Sequence, residues 1–208
     1  MAQGRCGPPA PPALRGFESM GRYWDGQLKS WVTTVVAGTF YVTNHDETLA
    51  TVLGSCVAVC VRAPERGLAG MNHFMLPHKD HRRADRAAMT YGAYSVERLI
   101  NEMVKYGARR SDLEIKVFGG GNVISANTRI GDLNIEFIRS YLSTEGLPIA
   151  AEDVGGPWGR RLRYRSGTGR ARVMRLESLE TRRVSAEERA LARTLESEAH
   201  KPTDVELF

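Results

Sequence analysis

The residue pattern predicts an α+β domain, and three observations carry that prediction. Short runs rich in β-branched and aromatic residues recur between Trp31 and Leu76. Two amphipathic helical patterns, over residues 91–106 and 133–144, come only after that run of strands. An arginine-rich pair of strands then flanks Ser166-Gly167-Thr168-Gly169. Strands that precede, separate and follow the helices without a regular alternation fit an α+β domain.

Each segment has its own reason. Residues 1–30 include Gly7-Pro8-Pro9-Ala10-Pro11-Pro12 and no hydrophobic period, which predicts a flexible N-terminal arm. Residues 32–42 read as strand interrupted at Gly38. Asn44-His45-Asp46-Glu47 is a turn, and residues 48–53 lead into Gly54-Ser55. Residues 57–61 form a short apolar run with the length of a buried strand. Pro64-Glu65-Arg66-Gly67 reverses the chain, residues 68–76 return beside it, and Pro77 ends the pairing because it has no N–H. The charged residues 78–86 read as a loop able to lie over a site at that hairpin.

Tyr94, Leu99, Ile100, Met103 and Val104 share one face of the first helix, which Gly107 stops. Leu113, Ile115 and Val117 alternate with Glu114 and Lys116, the pattern of a strand with one wet face. Gly119-Gly120-Gly121-Asn122 breaks that strand. Without a following Lys-Ser/Thr it is no phosphate loop, and close backbone approach to a site or a simple strand end explains it better. The second helix turns Ile135, Ile138, Tyr141 and Leu142 inward, and residues 147–154 form another strand. Beyond Glu177 the chain is mostly charged, and Ser185-x-x-Glu188 reads as a capping box opening a short helix to about Glu198. The expected organisation is a flexible arm over 1–30, a domain over 31–177 and a charged C-terminal extension over 178–208.

A chain of 208 residues suits one domain with appendages. No run approaches the ~18 apolar residues of a membrane span, and the N-terminus lacks a secretory signal, so a cytoplasmic protein without membrane insertion is expected. Its three cysteines are too few for a disulfide framework and read as free thiols. A net charge of +5 favours acidic partners. Arg160, Arg161, Arg163, Arg165, Arg170, Arg172 and Arg175 fall in one stretch without an acid, either a solvated hairpin face or a surface for such a partner. Nucleic acid is not expected, because only Tyr164 interleaves with these arginines.

The chemistry centres on Cys56, at the mouth of the small-residue turn Gly54-Ser55, and His73 on the apolar run that returns from it. The hairpin turn lies between them and brings the start of one strand beside the end of the other. An imidazole can take the thiol proton and later protonate a departing amine. Backbone N–H groups at Gly54 and Ser55 can hold an oxyanion. The bland reading makes Cys56 and His73 buried core residues, as Cys60 is expected to be. His73, His78, His81 and Cys56 match no zinc spacing, so no metal is expected.

These motifs resemble a known family. Leu53-Gly54-Ser55-Cys56-Val57-Ala58-Val59-Cys60 and Gly70-Met71-Asn72-His73-Phe74-Met75-Leu76-Pro77 look like the signature of the chemoreceptor glutamine deamidase family, CheD. Val117-Phe118-Gly119-Gly120-Gly121-Asn122, Ala151-Glu152-Asp153-Val154-Gly155-Gly156 and Gly159-Arg160-Arg161 follow in the family's order. The resemblance implies hydrolysis of glutamine side chains on methyl-accepting chemotaxis receptors to glutamate and ammonia, through a thioester and with no cofactor. It implies Cys56 as nucleophile and His73 as base, with Asn72, Arg161 and Arg163 as candidates for the substrate surface. The third catalytic residue of the family is a threonine at the position of Ala50, and Thr51 is its nearest substitute, pointing the other way on a strand. A layered fold with a β-sandwich-like core, akin to bacterial toxin cysteine deamidases, is implied as well, and in some members a CheC-type phosphatase partner. The alternative is a non-catalytic chemotaxis adaptor of the same fold.

Overall fold

The computed structural model describes residues 7–76, 86–123 and 129–198. Among these residues ten strands form two five-stranded sheets. The first contains β1 (Arg22–Asp25), β2 (Ser30–Thr34), β4 (Thr48–Leu53), β9 (Arg160–Arg165) and β10 (Ala171–Arg175), in that spatial order. The second runs β3 (Phe40–Thr43), β6 (Leu68–Phe74), β5 (Val57–Ala63), β7 (Glu114–Gly119) and β8 (Ile149–Val154). Both sheets are mixed: β2 runs parallel to β4 and β7 parallel to β8, and the other neighbours are antiparallel. With helices α1 (Arg86–Lys105), α2 (Ile130–Thr144) and α3 (Ser178–Glu198), the expected α+β class with a sandwiched core is borne out. The loop expected over 78–86 lies outside the described residues as far as 85, and residue 86 already opens α1.

The predicted hairpin forms as β5 and β6, with Val57 opposite Phe74 and Ala58 opposite His73. A single 3-10 turn at Pro64–Arg66 joins them, and Gly67 closes it at φ 62, in the left-handed region that glycine adopts without penalty. Both strands are buried nearly throughout because β5 and β6 are covered on each face, hence their continuous apolar reading. Alternation along β6 sends Gly70, Asn72 and Phe74 toward the helices. Phe74 meets Phe137 of α2 edge-on at 5.8 Å. A Cβ on Gly70 would lie 2.7 Å from Leu99 of α1, so its absence sets how closely helix and sheet pack. The opposite set of β6, including Met71 and His73, points between the sheets.

The N-terminal segment and the start of the C-terminal helix differ from expectation. Phe17 is buried edge-on against Phe40 and Tyr41, at 5.4 and 5.3 Å. Arg22 of β1 pairs at 3.1 Å with Glu47, a fully buried carboxylate that also accepts from Thr33, Tyr41 and Thr43. Residues 17–30 therefore pack onto the domain, held by one aromatic and one buried charge that show no period. At the other end α3 begins at Ser178, so Ser185 and Glu188 lie inside it and form no capping box. Both are buried, Glu188 at 5 % exposure, because their face of α3 is turned onto the domain.

Candidate active site

Strand β4 ends in the first sheet and β5 begins in the second, so Gly54-Ser55-Cys56 carries the chain from one layer to the other. That crossing is clamped through its carbonyls. Gly121 N–H donates to Gly54 O and Gly120 N–H to Cys56 O, each at 2.7 Å. Asn134 of α2 donates from Nδ2 to Ser55 O at 2.8 Å, while its Oδ1 accepts from Leu76 N at 2.9 Å. The glycine run thus serves close backbone approach as well as ending a strand. A Cβ on Gly119, at φ +110, would fall 2.2 Å from Cys56 O. With the carbonyls tied back, the N–H groups of three successive residues face one point, an anion-binding concavity.

That point is occupied by the carboxylate of Glu188. Gly54 N–H donates to Oε1 at 2.8 Å and Cys56 N–H to the same oxygen at 3.1 Å. Ser55 donates to Oε2 from its N–H at 2.6 Å and from its Oγ at 2.7 Å. Gly54 is required here, since a Cβ would sit 2.6 Å from Oε2 and 2.8 Å from Val123 Cγ2.

His73 reaches the same place from β6. Its Nδ1 lies 2.8 Å from Thr51 Oγ1, which is itself 2.7 Å from Val35 O. The Val35 carbonyl can only accept, so the single Thr51 hydroxyl proton goes to it and Thr51 Oγ1 accepts from Nδ1–H. Val35 O, 3.3 Å from Nδ1, supports the same tautomer. The proton therefore sits on Nδ1, and the Nε2 lone pair is free. Nε2 is buried and has no hydrogen-bond partner among the described residues. Cys56 Sγ, a ring nitrogen of His73 and a carboxylate oxygen of Glu188 all lie within 4.8 Å of one another.

This trio could in principle ligate a metal ion, but the donors around it argue otherwise. Both Glu188 oxygens already accept N–H or O–H bonds, and such polarised hydrogens repel a cation. Burial pushes the Cys56 thiol well above its ordinary value, the Glu188 charge raises it further, and the Cys56 backbone N–H only partly offsets this. Burial lowers His73, against the opposing effects of Glu188 and the Val35 carbonyl. Both shifts favour a neutral thiol beside a neutral imidazole, and the sulfur is closed off from solvent.

The remaining expected residues are placed as follows. Strand β4 pairs with β9 in unbroken register, so Thr51 needs no bulge. Leu49, Thr51 and Leu53 turn inward while Ala50 and Val52 face out beside Arg163 and Arg161, so Thr51 meets His73 and Ala50 does not. Asn72 is not a surface residue. It is fully buried, its Oδ1 accepting from Val59 N at 3.0 Å and its Nδ2 donating to Ser95 Oγ at 3.3 Å, a bracket between strand and helix. Arg161 pairs with Glu180 of α3 at 2.9 Å, whereas Arg163 is exposed. Arg163 joins Arg165, Arg170 and Arg172 around a shallow concavity of about 380 Å³. Cys60 is buried in the core, His78 and His81 lie outside the described residues, and Glu188 was missed by the sequence reading. Its signal was a carboxylate on the apolar stripe Val184, Glu188, Leu191.

Comparison with known proteins agrees with these motifs. The family model described as CheD chemotactic sensory transduction matches residues 75–175. A Hahella chejuensis protein named "Probable chemoreceptor glutamine deamidase CheD" is 42% identical over 203 residues, covering 96% of each chain. A Cupriavidus metallidurans protein of the same name is 46% identical over 195 residues, covering 90% of this chain and 89% of its own. Among solved structures, the Bacillus licheniformis hypothetical protein YfiH is 17% identical, covers 54% of this chain and 49% of its own, and aligns with a TM-score of 0.35, too slight a likeness to argue from. With its crossover cysteine, its threonine-anchored histidine and near full-length relatives, this chain belongs to the CheD family.

Proposed function

We propose that the chain is a chemoreceptor glutamine deamidase, a protein-glutamine glutaminase acting in the cytoplasm on glutamine side chains of methyl-accepting chemotaxis receptors. The observation that carries this reading is the convergence of three backbone N–H groups, a cysteine and a free imidazole Nε2 on one carboxyl-sized position. The relatives' names supply the substrate class.

In this mechanism His73 Nε2 takes the Cys56 proton and the sulfur attacks the glutamine Cδ. The tetrahedral oxyanion lies against the N–H groups of residues 54–56, each such donor contributing about 3 kcal/mol. The imidazolium returns its proton to the amide nitrogen, the C–N bond breaks, and ammonia leaves a thioester. Water, deprotonated by the same Nε2, attacks the thioester and releases glutamate and the thiol. Thr51 is a positioning residue that fixes the tautomer through Nδ1.

The arginine face of β9 and β10 is the proposed contact for acidic receptor segments, and a CheC-type phosphatase is a proposed partner in keeping with the family. Mass spectrometry of a receptor cytoplasmic fragment tests the central reading: wild type adds about one dalton at particular glutamines, and Cys56→Ala adds none. An adaptor would instead keep its biological activity in Cys56→Ala.

A further inference from the structure

The carboxylate seated in the site is carried by the chain's own helix α3. Among the described residues of α3 the half-buried or buried ones are Glu180, Thr181, Val184, Ser185, Glu188, Leu191 and Ala192, the spacing of a single helical face. Val184 and Leu191 flank Glu188 and line a mainly apolar cleft of about 390 Å³ whose other walls include Val36, Val52, Thr51 and His73. Val36 and Val52 remain 57 and 37 % exposed even with the helix in place. The Arg161–Glu180 pair and the bonds of Thr181 to Gly159 N and Leu176 O are among the ties that hold its first turns.

We infer that the cleft between the 34–37 segment, β4 and the Cys56 turn is a receptor for an amphipathic helix presenting one glutamine or glutamate side chain, and that α3 occupies it in cis with Glu188 in the product position. The inference deepens the deamidase reading and rests on it for the glutamine half. Three features support the occupant. Glutamate is what the reaction leaves behind, its two oxygens taking the places of the thioester oxygen and the attacking water. Its carboxylate is satisfied by backbone donors that can equally receive a carboxamide oxygen. The apolar residues on either side of it match the helix-in-groove mode, in which residues at i, i+3 or i+4 and i+7 anchor the ligand. A receptor helix must therefore displace α3 to reach Cys56, and α3 shows the pose it would adopt.

Two measurements on the full chain test this. The first is alkylation of Cys56 by iodoacetamide, mapped by peptide mass spectrometry, with core Cys60 as an internal check on folding. If the closed form is populated to ~90 %, Glu188→Ala should speed Cys56 labelling about tenfold and lower the KM for a receptor fragment by a similar factor, with kcat little changed. Cys60 should stay protected. The second is Glu188→Gln, which places a substrate amide in the site. It should convert itself, gaining about one dalton at position 188 with release of ammonia, while Cys56→Ala/Glu188→Gln should keep its amide.

Unchanged Cys56 labelling in Glu188→Ala, with Cys60 protected, overturns the inference whatever the enzyme does to receptors. Faster labelling in Glu188→Ala, combined with an amide that survives intact in Glu188→Gln, overturns the product-position assignment if the protein does deamidate receptor fragments. Faster labelling with no deamidation of either substrate leaves α3 as the occupant and overturns the deamidase reading instead.

Discussion

Thr51 Oγ1 stands between a carbonyl that must accept and an imidazole nitrogen that must therefore donate, and this one hydroxyl settles which ring nitrogen can serve Cys56. Thr51→Val keeps the shape and removes the relay. It should lower kcat by about 10²-fold, the order expected for a loss of alignment, while Thr51→Ser restores most of it. A purely structural role would leave the serine and valine variants alike, so the ratio of their kcat values is the check. The contact was only half legible beforehand. Strand alternation correctly set Ala50 and Thr51 on opposite faces, but which face meets His73 depends on how two sheets stack, and no local pattern in 48–53 encodes that. Glu188 was hidden for a related reason: Ser185-x-x-Glu188 satisfies a capping signature, and only the burial of that helix face distinguishes a cap from a plug.

Among the secondary-structure units, the β5–β6 hairpin, both covering helices and the β9–β10 hairpin were readable because their signals are local: apolar period, turn residues and glycine stops. Strand β1 was not. Its four residues are held by edge pairing to β2 and by the Arg22–Glu47 pair, both long-range. With Glu47 fully buried, removing the guanidinium leaves an uncompensated charge among Thr33, Tyr41 and Thr43. Arg22→Ala should cost about 3 kcal/mol of stability, measured by urea unfolding. Replacing Arg15, which carries no buried pairing of this kind, should cost far less, so the segment before residue 31 is a working part of the domain.

Across the assembled fold, the class was legible from the order of strands and helices, whereas the partition of strands between sheets was not. Strands β3 and β4 are neighbours in sequence yet sit in different layers, an outcome of packing rather than of pattern. One global consequence is measurable. His73 has its protonation suppressed by burial in the folded state, while the unfolded chain takes up a proton near the ordinary histidine value of 6.5. Below that pH the unfolded state binds more protons than the folded one, so stability falls as pH drops from about 6.5 toward the lower folded value, then levels off with respect to this group. Chemical denaturation across pH 4–8 should show this slope in wild type and a shallower one in His73→Gln.

The crossover at Gly54-Ser55-Cys56 makes the proposed nucleophile a bolt through two plates. Thr51 is fixed in one plate and His73 in the other, so the sulfur, the imidazole and its anchor share no common strand. On the proposed mechanism a small slip of one layer over its neighbour would break the alignment of Cys56 with His73 before any strand came undone, so catalytic competence should report interlayer alignment more sensitively than folding does.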